Sequence, residues 1–336
     1  MRSRQRFATF CFVAATAVSA CSSSSDRSGV VESTKAVAAV TTVDLTGAGA
    51  TFPYPLYVRW FNEFAARSDI RINYRSIGSR AGVDELIAGK VDFGATDVPM
   101  TDAELASATA PIIHVPTVLG AVALTYNLPS VKRPLRLTGE LLADIFLGRV
   151  TRWSDPDIAA LNPGVALPAD SIRVVHRDDG SGTTFILTDY LSSVSTRWST
   201  VGGRGKNVTW PVGTGVSGSE GVVAAVKTTP GALGYLEVVY ARQNRIAIAH
   251  LRNHAGKFVS PMPFEIASAA AGAASTGALG GIAGASSGGA AHALDMRTSI
   301  VDAPGEHAYP LTSFTWIVFS PSTLGAARSR QLTDFM

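Results

Sequence analysis

Cysteine is nearly absent from this 336-residue chain, which contains only Cys11 and Cys21. Both lie near the N-terminus, so a body that starts after them has no disulfide bond and must owe its stability to its hydrophobic core. With 46% hydrophobic residues overall, a body of about 290 residues is larger than a single core usually supports. We therefore expect two domains.

An excess of charge of one sign is also missing. The chain has 29 Lys and Arg against 26 Asp and Glu. Three of the basic residues are Arg2, Arg4 and Arg6, and without them the count is 26 against 26. Proteins that bind nucleic acids or membrane surfaces through bulk charge need a basic excess or stripe. We therefore expect no nucleic-acid partner.

The N-terminal apolar run is short. Phe7 to Ala20 are fourteen uncharged, mostly apolar residues that follow the three arginines. This pattern is too short for a transmembrane helix and is typical of a signal peptide, which we place at residues 1–20. Val18-Ser19-Ala20-Cys21 resembles a bacterial lipoprotein cleavage box, in which Cys21 is acylated. The alternative is an ordinary secretory signal with an incidental cysteine.

Two segments have compositions that are poor in large apolar residues. Residues 21–42 are mostly small and polar, which predicts a flexible tether. Residues 267–291 contain no Asp, Glu, Lys or Arg and are almost entirely Ala, Gly and Ser. Because they contain so few Leu, Ile or Phe residues, we interpret them as a surface insertion, helical at most in part, rather than as a transmembrane helix.

The rest of the chain repeats a strand, a Gly-rich turn and a helix. The repeats are VDLTGAGATFPYPLYVRWFNEFAAR, INYRSIGSRAGVDELIAGK, KVDFGATDVPMTDAEL and IRVVHRDDGSGTTFILTDYL. In the first, Leu56, Trp60, Phe61 and Phe64 have helical spacing. This alternation predicts an α/β fold with a mostly parallel sheet, in which ligands bind at the carboxyl ends of the strands.

The turn DDGSGTT predicts an anion site. Ser181, Gly182 and Thr183 lie where a helix should begin, so their backbone amides and hydroxyls are free to bind an anion. Arg177 can offer two parallel hydrogen bonds, and Asp179 is well placed to hold it. The alternative is a capped helix without a ligand. A nucleotide P-loop is disfavoured because its lysine is missing.

Similar turns precede two other predicted helices and contain Thr51 with Phe52, and Ser79. Three helix starts that converge would form an anion pocket made largely of neutral dipoles. Asp97 would repel a fully deprotonated anion, but it could accept a hydrogen bond from an anion that carries a proton. A purely structural role for Asp97 stays open.

These motifs carry a resemblance. LTGAGATFPYPLYVRWF, YRSIGSRAGV, VDFGATDVPMTD, ADIFLGRVTRWSDPDIAALNPGVALP, VVHRDDGSGTTF and PGALGYLEVVYARQN resemble the phosphate-binding proteins of the bacterial Pst ABC-type transporter (PstS). The resemblance extends nearly to Leu324. It implies a two-lobed type II periplasmic binding fold with two hinge crossings, which buries phosphate by closure of the lobes.

The resemblance also implies a ligand set and domain boundaries. Lobe one would comprise residues 43–121 plus 310–336, and lobe two residues 122–309. Asp179 would hold the arginine without touching the ligand. The implied phosphate-binding residues are Thr51, Phe52, Ser79, Asp97, Arg177, Ser181, Gly182 and Thr183.

The implied function is extracytoplasmic capture of inorganic phosphate by a lipid-anchored monomer, which delivers it to the permease subunits of the transporter. No catalysis, cofactor or metal is implied. The final residues QLTDFM come where the family continues through another helix, so we expect a less stable lobe one.

The sequence allows three other interpretations. Residues 284–288 match GxSxG, but without the strand-to-helix context of a serine hydrolase nucleophile. His250 and His254 have the i, i+4 spacing of a metal site but no third ligand nearby in sequence. A binding protein for another oxyanion is the remaining alternative, and Asp97 argues against an obligately deprotonated ligand.

Overall fold

The computed structural model describes residues 43–279 and 296–336. The strands within these ranges are β1 (Val43–Gly49), β2 (Ile70–Ser76), β3 (Phe93–Thr96), β4 (Ile113–Tyr126), β5 (Arg136–Leu137), β6 (Arg173–Arg177), β7 (Thr214–Val216), β8 (Ala232–Glu237), β9 (Ala247–Ile248), β10 (His250–Arg252), β11 (Phe258–Val259) and β12 (Thr312–Phe319). Side chains of β2 alternate in exposure, whereas those of β3 and β8 are buried throughout, as expected for strands covered on both faces.

Helices follow most of the strands. They are α1 (Tyr54–Ala65), α2 (Ser79–Ile87), α3 (Asp102–Ala106), α4 (Gly139–Phe146), α5 (Pro156–Leu161), α6 (Gly182–Val194), α7 (Thr196–Val201), α8 (Gly218–Thr228), α9 (Val238–Gln243), α10 (Pro263–Ser275), α11 (Pro321–Leu324) and α12 (Ala326–Phe335). Several begin at a capping side chain that accepts a hydrogen bond from the first turn, including Thr138, Ser181 and Ser195. Such caps stabilise a helix by about 1 kcal/mol.

The main sheet has the strand order β2-β1-β3-β12-β4-β8-β6-β7, and β9 also pairs with β4. β1 is parallel to β2 and β3, and β6 is parallel to β7 and β8. In the middle, β12 and β4 are antiparallel to each other and to their outer neighbours. The prediction of a mostly parallel sheet is therefore correct for the outer strands and wrong for the centre. The chain leaves the first group of strands on β4 and returns to it on β12, so these two strands run in opposite directions.

β4 belongs to two groups of strands. Residues 113–121 pair with β12, and the partner then changes, since Val122 pairs with Glu237 of β8. One strand thus connects the group β1, β2, β3 and β12 to the group β6, β7 and β8.

Separate clusters of buried side chains lie on the two groups. One contains Leu45, Tyr57 and Phe93, and a larger one contains Trp153 and Trp198. The helical spacing of Leu56, Trp60, Phe61 and Phe64 predicted α1. Of these four residues the structure buries Phe61, leaves Trp60 and Phe64 partly buried and exposes Leu56. It also buries Tyr57, because the helix packs on its sheet through residues four apart.

The predicted leader, Cys21, the tether and the GxSxG match at 284–288 lie outside the described residues. The Ala- and Gly-rich stretch is described as far as residue 279. It is helical to Ser275, and Ala269 and Ala273 are buried against Ile300 and Ala303. Among the helices that the structure describes, none is long and apolar enough to cross a membrane.

Candidate functional site

Three helix starts meet at the carboxyl ends of β1, β2 and β6. Thr51 and Phe52 form the turn between β1 and α1, Ser79 is the first residue of α2, and Ser181 is the N-cap of α6. Because these helices begin at the same edge of the curled sheet, their N-terminal amides point toward one region. The local prediction of strand, turn and helix at these three places is confirmed.

Hydrogen bonds join the groups across this region. The Nη1 atom of Arg177 donates to the Oγ1 atom of Thr51 over 3.2 Å. The backbone N–H of Gly182 donates to the Oγ atom of Ser79 over 3.2 Å, and Ser79 Oγ donates to Asp97 Oδ2 over 3.1 Å. Elements that are more than 100 residues apart in sequence thus meet in one polar cluster.

The remaining predicted residues lie beside these. Phe52 is buried and packs on Gly120 of β4. The Oγ atom of Ser181 accepts a hydrogen bond from Thr184 N over 3.1 Å, so its own O–H is free to donate. Thr183 is buried, and its Oγ1 atom has no hydrogen-bond partner. All eight predicted residues are buried together.

Arg177 is held by Asp179. The two side chains form a two-pronged ion pair through Nε and Nη2 of the arginine. The Arg177 side chain is 2% exposed, and the Asp179 side chain is 17% exposed. Burial alone would raise the pKa of Asp179, but its hydrogen bonds and ion pair with Arg177 outweigh burial and hold that pKa below its usual value. Asp179 therefore stays ionised and fixes the orientation of the guanidinium.

Asp97 has a different environment. Its Oδ1 atom accepts a hydrogen bond from Thr315 Oγ1 over 2.7 Å, and its Oδ2 atom accepts the bond from Ser79. Burial raises the pKa of Asp97 to about 7, although Thr315, Ser79 and the positive charge of Arg177 oppose this rise. Its protonation state therefore changes near neutral pH.

Gly182 is required by the close approach of these groups. A Cβ atom at this position would lie 2.6 Å from Ser79 Oγ and 2.7 Å from Asp97 Oδ2. Both distances are shorter than a van der Waals contact. Any larger residue would therefore separate α6 from α2 or displace the carboxylate of Asp97.

The structure adds residues that the sequence prediction missed. Ser219, on the first turn of α8, lies with its Oγ atom 2.9 Å from Thr51 Oγ1. The hydroxyl of Tyr240 donates to the backbone oxygen of Thr51 over 2.8 Å. The segment GTGVSGSEG before α8 has the same Gly- and Ser-rich turn pattern as the predicted sites, and that signal could have identified Ser219. Neither Tyr240 nor Thr315 has such a local signal.

The arrangement can bind an oxyanion that carries a proton. One buried guanidinium, several hydroxyls and helix N-termini offer donors, and Asp97 offers one acceptor. The histidine pair considered as a metal site lies elsewhere, and the Nδ1 atom of His254 is 3.4 Å from Asp302 Oδ2. No cluster of three His, Cys, Asp or Glu side chains suited to a metal occurs within residues 43–279 and 296–336.

Comparison with known sequences gives a consistent result. Residues 36–336 match the family described as PBP superfamily domain. The phosphate-binding protein PstS of Pasteurella multocida is 43% identical over 292 residues, which cover 87% of this chain and 80% of the relative. PstS of Xylella fastidiosa is 38% identical over 337 residues, covering 98% of this chain and 88% of the relative.

Solved structures have the same fold. A phosphate-binding protein from Stenotrophomonas maltophilia superposes with a TM-score of 0.61 at 19% identity, covering 86% of this chain and 82% of that one. An ABC-type phosphate transport receptor from Vibrio cholerae gives a TM-score of 0.53 at 15% identity, covering 87% of this chain and 92% of that one. The expected type II periplasmic binding fold is confirmed.

Proposed function

This chain belongs to the family of PstS phosphate-binding proteins, and from that premise we propose that it captures inorganic phosphate for import by an ABC-type transporter. The observation that carries the proposal is the buried guanidinium of Arg177. It forms an ion pair with Asp179 and donates a hydrogen bond to Thr51 Oγ1. A buried and oriented guanidinium is suited to a tetrahedral oxyanion.

We assign a ligand role to each of the eight buried residues. Phe52 and Gly182 donate through backbone amides, with the ligand replacing Ser79 as the acceptor of the Gly182 N–H. Arg177 donates through its guanidinium. Asp97 accepts a hydrogen bond from a phosphate O–H. The remaining donors act through a hydroxyl or a backbone amide and are Thr51, Ser79, Ser181 and Thr183. The unpartnered Oγ1 atom of Thr183 supports this assignment, because a buried hydroxyl without a partner costs about 1–3 kcal/mol that a ligand would recover.

Asp97 gives the site its preference for phosphate. When ionised, it can accept a hydrogen bond from a phosphate O–H, whereas sulfate carries no proton at neutral pH and would be repelled. We therefore favour phosphate over another oxyanion as the ligand. Since the proposed roles require binding rather than bond cleavage, the protein acts as a transport receptor and not as an enzyme, and it needs no cofactor.

The ligand binds between two lobes in this proposal. We assign residues 43–121 plus 310–336 to lobe one and residues 122–309 to lobe two. The change of β4 partner between Ala121 and Val122 supports this boundary. Thr51, Ser79 and Asp97 then face Arg177 and Ser181 across the cleft, so a ligand that bridges them favours closure.

The cellular setting follows from the same proposal. The protein works as a monomer outside the cytoplasm, anchored by a lipid on Cys21 after removal of residues 1–20. Its protein partners are the permease subunits of the transporter, which receive the phosphate.

Titration of the lipid-free protein that starts after Cys21 tests the proposal. Phosphate and sulfate are added at pH 7 while heat and tryptophan fluorescence are recorded. Trp210 is a suitable reporter because it stacks on His176, the neighbour of Arg177. We expect one phosphate per protein with a dissociation constant near micromolar, equivalent to about −8 kcal/mol, and sulfate at least a hundredfold weaker. A folded protein that binds sulfate as well as phosphate would point to another oxyanion, and one that binds neither would refute the proposal.

A further inference from the structure

Thr315 contacts the proposed proton acceptor from a distant part of the chain. It lies on β12, is fully buried, and donates from Oγ1 to Asp97 Oδ1 over 2.7 Å. The pairing of Trp316 with Thr96 in the antiparallel β12 and β3 strands fixes this approach. The neighbouring Ser313 donates from Oγ to the backbone oxygen of Asp97 over 3.1 Å. β12 therefore holds both the backbone and the side chain of Asp97.

The contact makes the two carboxylate oxygens of Asp97 different. Oδ1 faces β12 and is occupied by Thr315. Oδ2 faces α2 and α6, where it accepts from Ser79 and lies 2.7 Å from the position that a Cβ atom of residue 182 would take. Only Oδ2 is thus directed to the cluster in which we place the ligand. Rotation of the carboxylate would break the bond to Thr315, which is short and fully buried.

We propose that Thr315 is a positioning residue for phosphate recognition, which directs Asp97 Oδ2 to the ligand and favours the ionised carboxylate. This inference rests on the proposed function, because Thr315 acts on the ligand only through Asp97. Thr315 donates a hydrogen bond to the charged form of Asp97, and such bonds stabilise the ion relative to the neutral acid.

Other groups also affect the charge of Asp97. The cations Arg177, on β6, and Lys206, in the loop after α7, favour ionisation. Asp97 also interacts electrostatically with Glu237 at the end of β8, with Tyr57 on α1 and with Tyr74 on β2. Because burial already raises the pKa of Asp97 to about 7, loss of the Thr315 hydroxyl should raise it further, by about one pH unit.

The pH profile of sulfate binding isolates this effect, because sulfate does not titrate between pH 5 and 9. Sulfate affinity is measured across this range for the wild type and for Thr315→Val, Thr315→Ser and Thr315→Cys. Thr125→Val is the matched control, since Thr125 is fully buried on β4 and its hydroxyl donates to a sheet carbonyl, that of Gly234. Phosphate binding by the wild type is recorded first as a separate test of the proposed function.

We expect sulfate affinity to rise as pH falls and to level off near pH 7 in the wild type, since Asp97 titrates at about that value. In Thr315→Val the plateau should begin about one pH unit higher, and the ratio of phosphate to sulfate affinity at pH 7 should fall severalfold. Thr315→Ser should restore the wild-type profile. Thr125→Val should match the wild type even if it is equally destabilised.

An unchanged plateau in a folded Thr315→Val protein that still binds phosphate would overturn the proposal and leave Thr315 a structural residue. If that variant does not fold, Thr315→Cys replaces it as the test. The thiol is a weaker donor than the hydroxyl and should produce an intermediate shift of the plateau. An unshifted profile would refute the positioning role. Failure of the wild type to bind phosphate would instead refute the proposed function.

Discussion

Two aspartates in the site, the buried Asp97 and the partly buried Asp179, have opposite environments. Asp179 forms a two-pronged ion pair with Arg177, and its pKa is held below the usual value. Asp97 receives its side-chain hydrogen bonds from the hydroxyls of Thr315 and Ser79, and burial raises its pKa to about 7. A residue type that is the same in sequence thus behaves as a permanent anion at one position and as a titrating group at the other.

The difference shows how the site separates two requirements. A guanidinium needs a fixed anion to set its orientation, and Asp179 provides that anion. Asp179 is itself held by a hydrogen bond that it accepts from the backbone N–H of Gly218 over 3.2 Å. Recognition of a ligand proton needs an acceptor whose remaining lone pairs face the ligand. Asp97 meets that second need because neutral hydroxyls, rather than a cation, hold it.

Removal of the cation should have the largest effect. Arg177→Ala eliminates the buried donor and leaves Asp179 without its partner, so we expect phosphate affinity to fall at least a hundredfold, about 3 kcal/mol. Calorimetric titration of the folded variant measures the loss. Arg173→Ala is the control, because Arg173 lies on the same strand but is exposed. Near-normal binding by Arg177→Ala would mean that the guanidinium does not contact the ligand.

Gly182 packs closely against Ser79 and Asp97. We expect Gly182→Ala to weaken phosphate binding at least tenfold, because the new methyl group would collide with Ser79 and Asp97 at 2.6 and 2.7 Å. In the control Gly221→Ala, inside α8, the nearest atom is Val216 Cβ at 3.3 Å, and binding should be unchanged. Equal effects of the two substitutions would show that close packing at residue 182 is not required.

The pH dependence of sulfate binding separates the aspartates directly. Above about pH 7 Asp97 is ionised and repels sulfate, whereas below it Asp97 is protonated and can donate. Sulfate affinity should therefore rise as pH falls toward 7, while Asp179 stays ionised throughout. Asp97→Asn should bind sulfate more tightly at pH 8 and show little pH dependence. A wild-type profile that is flat between pH 5 and 9 would contradict the proton-acceptor role.

The free energy of unfolding should also depend on the protonation of Asp97. The pKa of Asp97 is raised from 3.8 to about 7 on folding, so the folded protein binds more protons than the unfolded chain within that range. The free energy of unfolding should therefore fall as pH rises from about 4 to 7. Asp97→Asn should lack this component, which comparison of urea unfolding with the wild type measures.

The half of the site that is local in sequence could be predicted. Arg177, Asp179 and Ser181 lie within five residues, and a strand followed by a glycine-rich helix start already places their polar groups together. The turns at Thr51 and Ser79 repeat that pattern, so their convergence followed from the α/β arrangement.

The rest of the site depends on tertiary structure. Thr315 lies in the run TSFTWIVF, which indicates a buried strand, but nothing in this run indicates that its hydroxyl meets a carboxylate 218 residues earlier. The antiparallel position of β12 was missed for the same reason. Alternation of strands and helices is a local pattern, and it does not indicate a strand that returns from the far side of the fold.

The smallest predicted effect concerns the ion pair of Lys206 and Glu104 near the rim of the site. The charged atoms of Lys206 and Glu104 are 2.8 Å apart. The backbone oxygen of Lys206 also accepts a hydrogen bond from Ser181 N over 2.9 Å. The ion pair therefore connects α3 to the segment beside the start of α6. Because partly exposed pairs contribute about 0.2–1 kcal/mol, Glu104→Gln should speed phosphate release up to about fivefold and leave association unchanged. Glutamine keeps an oxygen for the helix cap at Thr101, so stopped-flow fluorescence reports the lost charge rather than a lost cap.

The control is Glu63→Gln, which removes an exposed ion pair with Arg59 on α1 and should not change the release rate. Equal release rates for Glu104→Gln and the wild type would show that this ion pair does not hold the site closed, and that the buried groups around Arg177 and Asp97 are sufficient to retain the ligand.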